Sequence, residues 1–307
     1  MEPEGAGLRG VGCDKGVRTY LLIAFGLAWL LWEIPIRMGV PIGHPLFQMA
    51  ILPGAFSPAV ACVVVRKWIT GEGFGDAGLK LNLRRTWRYY LVGWLLPVAV
   101  VAVIAGLAMA FGVAHPDWSM RQATESLAPG AEIPPTIASL MWLLVPAQLL
   151  LTALMVTPLL WGEEFGWRGY LQLRLFPGRP VLAAVATGLI WGIWHYPLLL
   201  RGYNFPVHPL FGLAVFPVGT VLLSIIFGWL RAKTGSVWSP SVAHSSTNAV
   251  GGSLIALIFV GQKETIFVGY LGMLSWVPLG LFCAWIVLTG RLARLATTPK
   301  GSRSAAA

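Results

Sequence analysis

The segment "YYLVGWLLPVAVVAVIAGLAMAFGVA", residues 89–114, contains no charged side chain over its whole length. A helix rises about 1.5 Å per residue, so roughly 20 apolar residues cross a hydrocarbon core of about 30 Å. Seven further apolar runs are suitable for membrane helices, at about 19–36, 46–65, 137–160, 180–200, 209–230, 237–260 and 265–289. The sequence therefore predicts an all-α polytopic membrane protein with about eight transmembrane helices.

The composition supports a membrane protein. The chain is 56% hydrophobic and only 11% charged, whereas soluble domains carry about 25% charged residues. So few charges cannot cover a water-facing surface. We expect a single transmembrane domain over residues 19–290, with its core motifs at 160–250. A cytoplasmic N-terminal tail, 1–18, precedes it, and a disordered cytoplasmic tail, 291–307, follows it.

The net charge of +10 could indicate nucleic-acid binding, but the positions of the charges argue against this. If eight spans begin in the cytoplasm, 18 of the 22 basic residues lie on the cytoplasmic side. Such an excess is what the positive-inside rule predicts. We therefore expect cytoplasmic termini, contact with membrane lipids and no nucleic-acid partner, in a bacterial or archaeal plasma membrane. The four remaining basic residues are Arg37, Arg121, Arg201 and Lys263.

Strongly polar side chains inside the predicted spans are few and lie mainly in the second half of the chain. Insertion of such a group at a helix centre costs about 2.5–3.5 kcal/mol, so each is a candidate functional residue. They are Glu163, Glu164, Arg168, His195, His244 and Asn248.

The two adjacent glutamates are expected to differ in role. Glu164 and Arg168 have the i,i+4 spacing and order of a favourable helical ion pair. Glu163 points about 100° away around the helix and need not share that partner. This geometry predicts that Glu164 is structural and that Glu163 is free for chemistry. The alternative is that both carboxylates are solvated at the membrane interface.

The histidines lie on two other predicted helices. His244 and Asn248 are also spaced i,i+4 and share a helix face. We expect Ser239 to be the N-cap of this helix and Pro240 its first helical residue. By their predicted depths, these groups and Glu163 could line one cavity open to the cytoplasm, with His195 at its floor. Alternatively, His195 is a packing residue, and the polar helix is a hydrogen-bonded packing seam.

A carboxylate, two imidazoles and a carboxamide suit the activation of water for amide hydrolysis. A partly desolvated Glu163 can act as general base, and His195 can position the water. His244 and Asn248 can stabilise the oxyanion. The set Glu163, His195 and His244 could instead bind zinc, although it lacks the HExxH pattern.

"GFGD", residues 73–76, is similar to the GxGD motif of intramembrane aspartyl proteases. It lies in a polar loop, however, and no predicted span contains a second aspartate. We interpret it as a glycine-rich turn. The three cysteines, Cys13, Cys62 and Cys283, form no CxxC pair and imply no disulfide framework.

Three motifs resemble those of the CPBP family, which contains type II CAAX prenyl endopeptidases and bacteriocin-processing or immunity-related (Abi-type) membrane proteins. "EEFGWRG" at 163–169, "WGIWHYP" at 191–197 and "HSSTN" at 244–248 are similar to its EExxxR, [FW]xxxH and HxxxN motifs. The resemblance extends over roughly residues 50–250, since "LPGAFSPAVA" and "GLKLNLRRTWRYY" also look like family signatures.

This resemblance implies an eight-helix fold around a conical, cytosol-facing cavity and an intramembrane glutamic protease without a metal or other cofactor. It implies that Glu163 is the general base, supported by Glu164 and Arg168. It implies that His195 positions water and that His244 and Asn248 form the oxyanion hole. Trp191 takes the place of the commoner phenylalanine, as another supporting residue.

The substrate stays open at this stage, as either a CAAX-type lipidated peptide or another membrane-associated peptide. Two other classes of protein could use the same buried groups. One is a proton-coupled transporter, and the other is a non-catalytic membrane scaffold or immunity protein.

Overall fold

The computed structural model describes residues 15–119, 125, 130, 134–259 and 265–292. Every regular element in these ranges is helical, which confirms the predicted all-α class. The predicted tails, 1–18 and 291–307, fall almost wholly outside the described residues, so the proposed disorder of the second tail remains a prediction. The domain limits of 19–290 also remain a prediction, although the first helix already begins at Lys15.

Four long helices form the first part of the bundle. Helix α2 is divided into short segments because Pro53 and Pro58 each stand in the first turn of a new segment and lack a backbone N–H. Helix α4 continues past Gly166 through a π-helical turn, Trp167–Leu171, to Arg174. The bounds are α1 Lys15–Arg37, α2 Pro45–Ile69, α3 Leu83–Ala110 and α4 Pro135–Gly166.

The remaining helices carry most of the candidate site. Helix α8 begins as Trp238–Ser246, passes through a π-helical stretch, Thr247–Gly252, and ends as Ser253–Ile258. The other bounds are α5 Pro180–Trp194, α6 Tyr196–Leu199, α7 Pro209–Thr234, α9 Thr265–Val268 and α10 Trp276–Leu288.

Within the described residues, six helical segments are both long and apolar enough to cross a membrane. The predicted spans at 180–200 and 237–260 are helical but do not meet both conditions. The first breaks after Trp194, and the second carries the polar residues of the candidate site. A membrane protein is therefore supported, whereas the count of eight spans stays a prediction. The six are Lys15–Arg37, Pro45–Ile69, Leu83–Ala110, Ser139–Arg174, Pro209–Thr234 and Thr265–Leu288.

Glycines bring the helices around the site into close contact. A Cβ atom on Gly188 would lie 2.5 Å from the Val221 Cα, and one on Gly192 would lie 2.8 Å from the Pro217 Cα. Small residues at these positions let the backbones of α5 and α7 approach closely, as is common between membrane helices. This contact fixes the turn of α5 that carries Trp191.

The bundle has two distinct ends. We call the end that holds the start of α1 and the end of α10 the basic end, since 14 of the 16 basic residues in the described ranges belong to segments there. We call the opposite end the distal end. The residue 70–82 loop lies at the basic end, where two hydrogen bonds hold it. Trp238 Nε1 donates to the Leu79 carbonyl oxygen over 2.9 Å. Asn82 Nδ2 donates to the Thr234 carbonyl oxygen over 2.9 Å.

The same loop closes the basic end of the bundle. The buried Arg66 side chain forms an ion pair of 2.7 Å with Asp76 and donates to the Gly169 carbonyl oxygen over 2.9 Å. Arg231 donates to the Asp76 carbonyl oxygen over 2.7 Å. "GFGD" thus lies in a turn that holds the loop against the helices, away from the candidate site. Ala77, in the same loop, is fully buried.

Candidate active site

Glu163 lies near the C-terminal end of α4 and is almost completely buried, with 5% of its surface exposed. Its Oε2 atom accepts a hydrogen bond of 2.8 Å from the indole N–H of Trp191 on α5. The carboxylate is therefore held by a neutral donor from a different helix, and Glu163 lines an internal cavity.

The second glutamate, Glu164, forms a fully buried ion pair with Arg168, with 2.8 Å between its Oε1 atom and Nη1 of the arginine. The predicted i,i+4 contact is thus formed. The same oxygen lies 3.0 Å from Nδ1 of His244 on α8. A carboxylate only accepts, so Nδ1 of His244 carries the proton in this bond. Glu164 therefore connects α4 to α8.

Trp191 contacts most of the candidate residues at once. Its ring centroid lies 5.0 Å from that of His244 and 6.0 Å from that of His195. The Arg168 guanidinium carbon lies 4.8 Å from the indole centroid, within the range of a cation–π contact. With its bond to Glu163, Trp191 occupies the centre of the site.

His195 ends α5 and is only partly buried. Its Nδ1 atom lies 2.9 Å from the Trp191 carbonyl oxygen, so Nδ1 is the donor and Nε2 is left for other partners. The rings of Trp194 and Phe216 lie 4.8 Å and 4.9 Å from the imidazole between their centroids. These aromatic contacts fix the plane of the ring.

Asn248 lies in the π-helical stretch of α8, is exposed, and lines the cavity with His244. π-Helical turns of this kind are frequent at functional sites. The predicted start of α8 is wrong by two residues. The helix begins at Trp238 with Val237 before it, and Ser239 makes no capping bond because it already lies inside the first turn.

The cavity has a volume of about 660 Å³ and brings together the four residues predicted to be catalytic, Glu163, His195, His244 and Asn248. Most of the remaining wall is apolar. Tyr203 and Phe205 also line it, although no local pattern predicted this. Their connection turns inward because Gly202 and Asn204 both have left-handed backbone conformations, with φ of 88° and 66°.

The cavity extends from Glu163 toward the distal end. Gln48 at the start of α2, Tyr203 and Asn204 after α6, and Thr265 at the start of α9 all line it. By position along their helices, Glu163 and His244 lie deepest, whereas His195 ends a helix on the distal side. The sequence predicts His195 at the floor instead. The cytosol-facing opening of the cavity and the cytoplasmic position of the termini both stay predictions.

The zinc alternative does not fit the geometry. Over residues 15–119, 134–259 and 265–292, no three His, Cys, Asp or Glu side chains are placed to hold a metal ion, and this includes the set Glu163, His195 and His244.

The fold and the site define a polytopic helical membrane protein with a carboxylate and two histidines around one cavity. Residues 142–250, which contain all three motifs, match the family model "Type II CAAX prenyl endopeptidase Rce1-like". This match confirms the family resemblance and indicates a membrane protease, a hydrolase that acts on peptides. The matched segment is shorter than the predicted 50–250. The search of curated proteins found no match to the chain.

Proposed function

We propose that the protein is an integral-membrane endopeptidase of a bacterial or archaeal plasma membrane, in which Glu163 activates a water molecule. The oxygen of this water attacks the scissile carbonyl carbon while Glu163 takes its proton. The same carboxyl group then gives the proton to the leaving amine nitrogen as the C–N bond breaks. The products are a new carboxylate and a new amine.

The hydrogen bond from Trp191 supports this role for Glu163. It engages Oε2 and aligns the carboxylate, so Oε1 is the atom that receives the proton. Positioned general bases of this kind contribute about 10²- to 10⁴-fold to a rate. Because the side chain is almost fully buried, few solvent molecules compete with the reacting water.

The bonds of the two histidines support separate roles. His195 donates from Nδ1 to a carbonyl oxygen, so in the neutral ring the lone pair on Nε2 can accept a hydrogen bond from the attacking water. His244 donates from Nδ1 to Glu164, and its Nε2, when protonated, donates with the Asn248 amide to the oxyanion. Glu164 and Arg168 hold His244 in this orientation.

The cavity suits an extended peptide with apolar side chains, with or without a lipid group. Among the lining residues of the described chain, Glu163 is the only Asp, Glu, Lys or Arg. A charged substrate side chain would therefore lack a partner there, which is costly in a low-dielectric site. We expect a peptide substrate, a boundary of membrane lipids, and no cofactor.

One observation carries the proposal: Glu163, His195, His244 and Asn248 line a single cavity, and Glu163 is held by Trp191. The test is cleavage by the purified full-length protein of two quenched fluorescent probes, a farnesylated CAAX peptide and an unmodified apolar peptide. Glu163→Gln keeps the size and the acceptor for Trp191 but cannot take a proton. We expect a loss of at least about 10²-fold in turnover.

Glu72→Gln is the matched control, because Glu72 lies at the basic end in an ion pair with Arg174 and does not line the cavity. We expect this variant to cleave as the wild type does. Wild-type turnover in Glu163→Gln, with the protein folded, would contradict the proposed role of Glu163.

A further inference from the structure

The first two turns of α3 carry a cluster of exposed basic side chains at the basic end. Arg84, Arg85 and Arg88 are all exposed, and we call them the arginine patch. Successive residues of a helix are turned by about 100°, so these three positions fall within about 100° of one another around α3. Residues 77–92 contain the patch, Lys80 and no acidic residue. Three positive charges are thus concentrated on one face of the helix.

The arginine patch has no partner in the described part of the protein. The ion pairs found there all use other basic side chains, those of Arg37, Arg66, Arg168, Arg174, Arg201 and His244. The two acidic residues of the preceding loop, Glu72 and Asp76, are paired with Arg66 and Arg174. The patch therefore needs an anionic partner from outside the chain.

The opposite side of α3 holds the helix in the bundle without help from the arginines. The Tyr90 hydroxyl donates to Oγ of Ser236 over 3.1 Å. A Cβ atom on Gly93 would lie 2.9 Å from the Cβ of Ala243, so α3 and α8 are in close contact there. Substitution of the exposed arginines should therefore leave the fold intact.

The outward face of α3 changes from charged to apolar within one turn. Beyond Arg88, the exposed residues on this face are Leu91, Val92 and Leu95. Trp87, beside the patch, is also exposed, and tryptophan is enriched at the level of the lipid headgroups. Because α3 is one of the six segments able to cross a membrane, this order places the guanidinium groups beside the headgroups and the aliphatic side chains beside the acyl chains.

We propose that the arginine patch binds the phosphate group of an anionic phospholipid, whose acyl chains lie along Leu91, Val92 and Leu95. A guanidinium group can donate two parallel N–H bonds to a phosphate. A nucleic acid or an acidic protein would match the charges but not the apolar residues that follow on the same face. The cation of a zwitterionic headgroup would find no acidic residue there. This binding does not involve Glu163, so it is independent of the proposed peptidase function.

Titration of the purified full-length protein in detergent, followed by native mass spectrometry, tests this site. The probes are dioleoyl phosphatidylglycerol, which is anionic, and dioleoyl phosphatidylcholine, which has the same chains and a zwitterionic headgroup. A short single-stranded DNA is the third probe. The patch variant is Arg84→Gln/Arg85→Gln/Arg88→Gln.

The matched control removes the same charge from three other exposed positions at the basic end, Lys15→Gln/Lys67→Gln/Arg179→Gln. We expect phosphatidylglycerol to bind the wild type and the control about equally. We expect it to bind the patch variant about 10²-fold more weakly, because each basic residue near an anionic lipid surface contributes about five-fold, or about 1 kcal/mol. Phosphatidylcholine should bind all three proteins weakly, and unfolding temperatures measured without lipid should agree.

Equal weakening in the patch variant and the control would show that net charge alone attracts the lipid, and would overturn the site. Unchanged binding to a folded patch variant would do the same. The wild type gives a measurement that needs no variant: phosphatidylglycerol bound no more tightly than phosphatidylcholine would contradict recognition of the headgroup. DNA bound more tightly than phosphatidylglycerol, and lost in the patch variant, would assign the patch to nucleic acid.

Discussion

The indole N–H of Trp191 lies 2.8 Å from Oε2 of Glu163 and joins α5 to α4 at the floor of the cavity. This bond gives a buried carboxylate a partner without neutralising it, since the indole carries no charge. An ion pair at the same place would tie up the base, as Arg168 does with Glu164. Trp191 thus explains how two adjacent buried glutamates can differ in chemistry.

The first prediction concerns this bond. Trp191→Phe removes the N–H donor and keeps an aromatic ring between the two histidines. A hydrogen bond to a charged group contributes about 1.5–3 kcal/mol, so we expect kcat to fall about ten- to hundred-fold with KM little changed. Trp94→Phe is the control, because Trp94 donates over the same 2.8 Å to a carbonyl oxygen outside the site, that of Leu150. Equal losses in the two variants would show that the bond to Glu163 has no special role.

The second prediction concerns the buried ion pair of Glu164 and Arg168. Glu164→Leu leaves Arg168 buried without its carboxylate, at a cost of about 3–5 kcal/mol. We expect a clear fall in the unfolding temperature in detergent. The double variant Glu164→Leu/Arg168→Met removes both charges, and its unfolding temperature should return close to that of the wild type. Activity should stay low, because His244 has lost its partner in both variants.

A double variant that is no more stable than Glu164→Leu alone would contradict this account. The pair would then stabilise the fold through its own attraction and not through mutual compensation of two buried charges.

Local patterns predicted the parts of the site that lie within one helix. The Glu164–Arg168 contact follows from i,i+4 spacing, and the joint placement of His244 and Asn248 on one cavity wall follows in the same way. Hydropathy located all eight helical regions, because apolar runs must be buried in lipid or protein. The missed start of α8 is a local error, since a serine beside a proline resembles a cap whether or not the helix has already begun.

The contacts between helices could not be read from the sequence. No local signal shows that the Trp191 indole reaches Glu163, a residue 28 positions earlier, or that His244 reaches Glu164. The contacts that close one end of the bundle could not be predicted for the same reason. Which end of a bundle is closed depends on a loop folding back, here through Arg66 and Asp76, and the spacing of apolar residues carries no information about that.

The third prediction concerns metal dependence. The described residues offer no set of three His, Cys, Asp or Glu ligands for a metal ion. We expect the purified protein to keep its activity after dialysis against a chelator and to bind less than stoichiometric zinc by elemental analysis. Activity lost to the chelator and restored by added zinc would contradict this expectation.

The fourth prediction concerns His195. In His195→Asn, an amide N–H lies near the position of Nδ1, and no atom replaces Nε2. In His195→Gln, the longer side chain reaches the position of Nε2 but gives up the Nδ1 bond to the Trp191 carbonyl. If Nε2 positions the water, His195→Asn should lose more activity than His195→Gln, by about ten-fold, which corresponds to a hydrogen bond of about 1.4 kcal/mol. The unfolding temperatures serve as the control. The opposite order of activities would assign the histidine a packing role through Nδ1.

The last prediction separates the two nitrogens of His244. His244→Asn can keep the contact with Glu164 but presents no donor to the cavity, and loss of one oxyanion donor costs about 10²- to 10³-fold in kcat. His244→Gln can present its amide N–H near the position of Nε2, so its loss of kcat should be smaller, while its unfolding temperature should fall because Glu164 loses a partner. His244→Asn is thus expected to be the more stable variant with the lower kcat, and His244→Gln the less stable variant with the higher kcat. If both quantities follow the same order, His244 acts only as a structural partner of Glu164, and Asn248 alone faces the oxyanion.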